Sequence, residues 1–166
     1  MRLRFYFALL LFVVSAHPTY AQTVLDKARR DEIARVPGDD ADMAAAFRKA
    51  KATLPEFLEL ARAPRSTITS MALKVPVRDS SETEYFWITP FIEKDGGLIG
   101  RINNTPRTVH NVKEGQVIKF GRDDVVDWLY RENGRMYGNY TACVLLKSEP
   151  PDEVEAFKKQ FGLICE

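Results

Sequence analysis

The sequence predicts an α+β domain: one long N-terminal helix, straight or bent, packed on a curved antiparallel sheet of five to six strands, with a short C-terminal helix. Three observations carry this. Met43, Ala46, Phe47, Ala50, Leu54, Phe57, Leu58 and Ala61 recur at spacings of three and four, the stripe of an amphipathic helix. From residue 67 onward the period falls to two, as in half-buried strands. Asp95-Gly96-Gly97 and Asn133-Gly134 supply the positive-φ residues that tight hairpins need.

Taken in order, the chain opens with Arg2 and Arg4, an unbroken apolar run from Phe5 to Val14, and a polar end at Pro18, Thr19 and Ala21 with small residues where a signal peptidase cuts. Residues 1–21 read as a secretory signal peptide cleaved near Ala21, which places the protein in a periplasm or outside the cell. The run is too short for a bilayer, which takes about 20 apolar residues, so no membrane anchor is expected after cleavage. Residues 22–38 are charged, end in Pro37-Gly38, and read as a linker or short helix. Residues 39–166 form a single domain.

Asp39, Asp40 and Asp42 stand where a helix N-terminus favours acids. Pro55 interrupts the apolar stripe, and Thr53 with Glu56 offers a capping box that would restart the helix after a bend. In "TSMALKVPV", Met71, Leu73, Val75 and Val77 point one way, and Ser70, Ala72 and Lys74 the other. "ETEYFWIT" continues in β-branched and aromatic residues to Pro90, which cannot donate to a ladder and so marks a bulge or an edge. "FIEKDGGLIGRIN" closes a hairpin, a loop runs from Asn104 to Val112, and "KEGQVIKFG" turns at Gly115 into another strand. "RDDVVD" reads as a helical turn capped by Asp123.

In "DWLYRENGRMYGNYTACVLL", residues 127–146, a type I′ turn at Asn133-Gly134 sets Glu132 opposite Arg135, Tyr130 opposite Tyr137 and Trp128 opposite Asn139, with the strand running on to Leu146. Pairing and burial account for the whole stretch, which holds neither a nucleophile nor a base. "DEVEAFKKQFG" is the last helix, ended by Gly162.

Without residues 1–21 the chain carries 22 basic against 23 acidic side chains. A net charge so near zero argues against a nucleic-acid partner, which needs a concentrated basic field. Arg101, Arg107, Lys113, Lys119 and Arg122 face only Glu114 within residues 101–122, and read as solvated faces of strands and loops. Cys143 and Cys165 in an oxidising compartment are most simply a disulfide that staples the last helix to the sheet, worth about 3 kcal/mol by loop closure. A buried free Cys143 beside a frayed tail is the rival reading.

Chemical motifs are sparse. After cleavage His110 is the single histidine, so no His-rich metal site is expected, and no serine or cysteine has the company of a triad. No glycine-rich phosphate loop is present, and no cofactor is expected. Catalysis would fall to carboxylates, with Glu84 and Asp127, or Asp123 and Asp127, as the acid-base pair. The ordinary reading of such acids is as caps or solvated side chains.

Met43, Ala50, Thr53, Leu54 and Phe57, then Lys74, Glu84 with Trp87, Gly100 with Asn103, "KEGQVIKF", Asp127 with Trp128, and "GRMYGNYT" form an ordered set. Over about residues 40–147 this set resembles the YegJ-like bacterial proteins that share a domain of unknown function, number 2314. The resemblance implies an α+β domain often found in exported proteins and brings no catalytic or binding residues with it. It also implies a basic residue where Cys143 stands, which makes the disulfide a feature of this member.

Trp87, Asn103, Trp128, Tyr130, Tyr137 and Asn139 remain as candidate binding residues, because aromatic and amide surfaces often dock partners. The bland alternative is that these aromatics fill the core. The expected function is a non-enzymatic exported domain that recognises a protein or envelope component, of inhibitor or immunity type among others. A carboxylate-dependent hydrolase of envelope polymer and a purely structural envelope protein are the alternatives. The partner and the oligomeric state are not legible.

Overall fold

The structure, a computed structural model, describes residues 23–29, 40–80 and 82–165. The signal segment 1–21 and most of the 22–38 linker lie outside the described residues. The linker contributes one short helix, α1 (Val24–Arg29), which meets the last helix through Val24 N, donating to Glu153 Oε2 at 2.6 Å.

Helix α2 (Ala41–Arg62) begins at Asp40, whose Oδ1 accepts from Met43 N at 2.7 Å, and turns Ala46, Ala50, Leu54, Phe57 and Leu58 inward. It runs through Pro55 without the restart that a capping box would give. Thr53 instead turns its hydroxyl back onto the carbonyl of Lys49 at 2.8 Å, a bond helical threonines commonly make.

Six antiparallel strands follow: β1 (Ile68–Arg78), β2 (Thr83–Lys94), β3 (Gly97–Ile102), β4 (Val117–Phe120), β5 (Asp127–Glu132) and β6 (Arg135–Gly138), in spatial order β4-β3-β2-β1-β5-β6. Both hairpin tips take the expected form, with φ of 51° and 75° at Asp95 and Gly96, and 50° and 77° at Asn133 and Gly134. Pro90 sits at a shift of register between β2 and β3, so an interior strand accommodates it as a bulge. There β3 comes close: a Cβ on Gly100 would lie 2.3 Å from Ile88 Cγ2, which excludes any other residue.

Leu54, Phe57 and Leu58 pack on Leu73, Val75, Phe86, Ile88, Leu98 and Ile102, each burial contributing about 1.5–3 kcal/mol. On the sheet's other side a smaller cluster joins Val24, Met136, Leu146 and Leu163, with Leu129 and Phe157 against it.

Two local expectations are corrected. The short turn at Arg122–Asp124 is held by Asp124, whose Oδ2 accepts from Gly121 N at 2.8 Å, and not by Asp123. More important, the last strand stops at Gly138. Gly138 and Asn139 have φ of 76° and 53°, the chain reverses, and Tyr140–Leu145 form helix α3. Trp128 and Asn139 are consequently not cross-strand partners; Asn139 N donates to the Trp128 carbonyl at 2.8 Å as the chain leaves the sheet. Helix α4 (Pro151–Phe161) ends at Gly162 with φ 65°, as expected. Cys143 and Cys165 form a disulfide, which ties α3, and not a strand, to the segment after α4.

Candidate functional site

Alternation along β5 sends Trp128 and Tyr130 to the α2 side, and the hairpin register sets Tyr137 beside Tyr130. The rings form a row. Phe57 stacks on Trp128 at 5.0 Å and 20°, Trp128 on Tyr130 at 6.1 Å and 10°, and Tyr130 on Tyr137 at 4.8 Å and 13°. Tyr140, the first residue of α3, meets Trp128 edge-on at 5.5 Å and 85°. Such offset and edge contacts are the favoured geometries of aromatic pairs.

Trp128 is fixed from below. Its indole N–H donates to the Ala50 carbonyl at 3.1 Å and to Thr53 Oγ1 at 3.2 Å. Thr53, Glu56, Phe57, Leu60, Trp128, Tyr130 and Tyr140 together line a shallow groove of about 180 Å3 between α2 and the hairpin. At one end Arg65 grips Glu132 with two hydrogen bonds, of 2.7 and 2.8 Å, and Thr67 adds a third at 2.5 Å. The Arg65 guanidinium, then the Thr67 hydroxyl, hold the Glu132 carboxyl down at about 2. Burial, then the neighbouring Tyr137, pushes the Tyr130 hydroxyl up, which keeps it a neutral donor.

The acids named by the sequence are engaged elsewhere. Glu84 is buried, and its carboxyl accepts from Arg107 N, Thr108 N, Thr108 Oγ1 and Val109 N at 2.9–3.2 Å, clamping the 103–116 loop. Burial alone would raise its pKa, but these donors outweigh burial and leave it below the ordinary carboxylate range. Asp127 is fully buried and accepts from Trp128 N, Tyr140 N, Thr141 N and Thr141 Oγ1 at 2.7–3.2 Å, which starts α3. Glu84 pairs across from Val77 and Asp127 from Lys74, positions on opposite faces of β1, so the two acids do not converge. Asp123 is exposed and lies with Lys51 and Arg122 at a separate groove, away from buried Asp127. Among the described residues no three of His, Cys, Asp and Glu gather as metal ligands.

Of the six candidate binding residues, the structure brings Trp128, Tyr130 and Tyr137 together. Trp128 is only 7% exposed and acts as the floor, while the two tyrosines are half-buried. Trp87 lies apart on the other face of the β1–β2 pair, where Lys74 Nζ sits 4.6 Å above its ring and donates to Thr141 Oγ1 at 2.7 Å. Asn103 is exposed, and its N–H extends the ladder by donating to the Trp87 carbonyl at 2.9 Å. Asn139 is buried at the chain reversal, with Nδ2 3.3 Å from Met136 Sδ. Leu60 has no place in the sequence reading, and Glu56 enters it only as part of a capping box. Their spacing from Thr53 and Phe57, three to four residues along one helix, was the available signal.

Residues 40–164 match the family described as "Uncharacterized protein conserved in bacteria (DUF2314)". The chain belongs to the DUF2314 family. It is 32% identical to the uncharacterized protein YegJ of Escherichia coli K12 over 120 residues, which is 72% of this chain and 77% of that protein. A putative ankyrin repeat protein of Neisseria meningitidis serogroup B is 30% identical over 80 residues, 46% of this chain and 32% of that protein. No solved structure matches the chain. Lys74, Trp87, Asp127 and Thr141, scattered in sequence, meet in one network, and no helix of the described residues is long and apolar enough to cross a membrane.

Proposed function

We propose that this DUF2314 protein is an exported, non-enzymatic binding domain whose aromatic groove recognises a protein or a component of the cell envelope. The observation that carries the reading is the stacked row from Phe57 to Tyr137, opening at its flank onto the groove beside Glu56 and Leu60. A rigid aromatic wall loses little side-chain entropy on binding and offers both apolar area and hydroxyl donors. Glu84 and Asp127 are each saturated by internal donors and lie on opposite faces of the sheet, which gives no support to a hydrolytic acid pair.

Export is supported by the N-terminal sequence and by a disulfide, which persists in oxidising compartments. The test uses the immobilised oxidised chain against its own envelope extract, beside the variants Leu60→Asp and Glu56→Arg, which alter the groove and leave the core intact. A defined species captured by the wild-type chain and lost with both variants is the expected result. No reproducible capture, or capture indifferent to both changes, would overturn the reading.

A further inference from the structure

The sheet finishes its two edges differently. Against β6 the segment after α4 lies as a cover: Met136 N donates to Gly162 O at 2.8 Å, Ile164 N donates to Met136 O at 3.1 Å, and the Cys143–Cys165 disulfide holds it in place. No described residue pairs with the outer side of β4. Its ladder is phased by a bulge in which Gly115, at φ 78°, donates to Ile102 O at 2.9 Å while Ile102 N donates to Gln116 O at 2.9 Å. Ile118 and Phe120 therefore bond to β3, and the backbone N–H and C=O groups of Val117 and Lys119 point outward.

Side-chain signs are segregated on the same strands. The pairs Lys94 with Gly97, Ile92 with Ile99, Ile99 with Lys119 and Arg101 with Val117 place three cations and three aliphatics on the face away from α2. Ile92 and Val117 are 59% and 54% exposed. The acids of β1 to β4, Glu84 and Glu93, both turn to the α2 side. Of the acids that flank these strands in sequence, Asp79 and Glu82 stand between β1 and β2, Asp95 in the β2–β3 turn and Asp123 and Asp124 after β4, while Glu114 accepts from Thr105 Oγ1 at 2.5 Å. A net charge near zero averages over this segregation, and of the basic cluster visible in residues 101–122 the ladder sets Arg101 and Lys119 on this one face.

We propose that the β4 edge and this cationic, aliphatic face dock an extended segment of another protein, acidic and apolar in alternation, which adds to the sheet as a further strand. Main-chain bonds to Val117 and Lys119 would supply affinity, and Arg101 and Lys119 would select acids on the outward side. A second copy of this chain is disfavoured, because joining two β4 edges sets two cationic faces side by side. The surface is separate from the aromatic groove and stands whether or not the groove binds.

The probe is a fluorescent eight-residue peptide of alternating Glu and Val, blocked at both ends, with a Lys-Val peptide as control. Fluorescence anisotropy should show saturable binding of the acidic peptide alone, weakening with added salt. Hydrogen exchange should slow at the amides of Val117 and Lys119. The double reversal Arg101→Glu with Lys119→Glu should weaken binding roughly tenfold, and Val117→Pro, which removes one outward donor and no internal bond, should do likewise. The proposal is overturned if the acidic peptide fails to bind, binds both variants like wild type, or protects other amides. It is also overturned if β4 is protected by phosphatidylglycerol vesicles or by a second copy of the chain in place of the peptide.

Discussion

Replacing Asp127 by Ala tests whether α3 is started by a carboxylate from a distant strand. Its Oδ1 accepts from Trp128 N at 2.9 Å and Tyr140 N at 3.2 Å, and its Oδ2 from Thr141 N at 2.9 Å and Thr141 Oγ1 at 2.7 Å. The Thr141 hydroxyl keeps a partner in Lys74 Nζ, but the amides of Trp128, Tyr140 and Thr141 lose their acceptor. A hydrogen bond to a charged group is worth about 1.5–3 kcal/mol, and an orphaned buried donor bears the full desolvation cost. Three such amides, with that of Tyr140 near enough to solvent for partial relief, give a loss of about 4–6 kcal/mol. Asp127→Asn keeps one accepting oxygen and turns an amide toward the donors, so it should lose about half as much. Urea unfolding followed by fluorescence of Trp87 and Trp128 measures both. A loss below about 1 kcal/mol for Asp127→Ala would refute the view that this carboxylate organises the chain reversal.

Beside Glu93, which Arg62 holds down, Glu84 and Glu132 shape the acid limb of stability. Both have folded values below the ordinary one near 4.5, Glu132 at about 2, so their contribution is complete above that ordinary value and is lost as pH falls through the folded values. Urea midpoints should decline from pH 4.5 downward, and Glu84→Gln should flatten the decline; a variant profile parallel to wild type would show that the clamp on the 103–116 loop does not titrate. Removing the disulfide with Cys143→Ser and Cys165→Ser opens a loop whose ends are 22 residues apart, for an expected loss of about 3 kcal/mol with faster exchange at the Ile164 amide. Unchanged exchange at Ile164 would show that the segment after α4 docks without its staple.

Much of the architecture was readable because local and global preferences agree. The 43–61 stripe, the alternation in β1 and both glycine turns each specify one outcome. The reading failed where a distant group decides: "NYTACVLL" carries β-branched residues that suit a strand, and nothing local reveals that the Asp127 carboxyl waits to receive the first amides of a helix. The same holds for the site. Alternation and turn chemistry sufficed to gather Trp128, Tyr130 and Tyr137, whereas the separation of Trp87 from them follows from which face β2 presents to β1. Saturation of Glu84 by a loop more than twenty residues away has no local signal either.

Strand β5 serves both hydrophobic clusters with consecutive residues, Trp128 toward α2 and Leu129 toward Met136 and the disulfide. A slip of one position would hand an indole to the small compartment and an isobutyl group to the ring stack, leaving a void on one side and a collision on the other. Sandwiched in this way, the strand has a single tolerable alignment, on which both compartments depend for their fit.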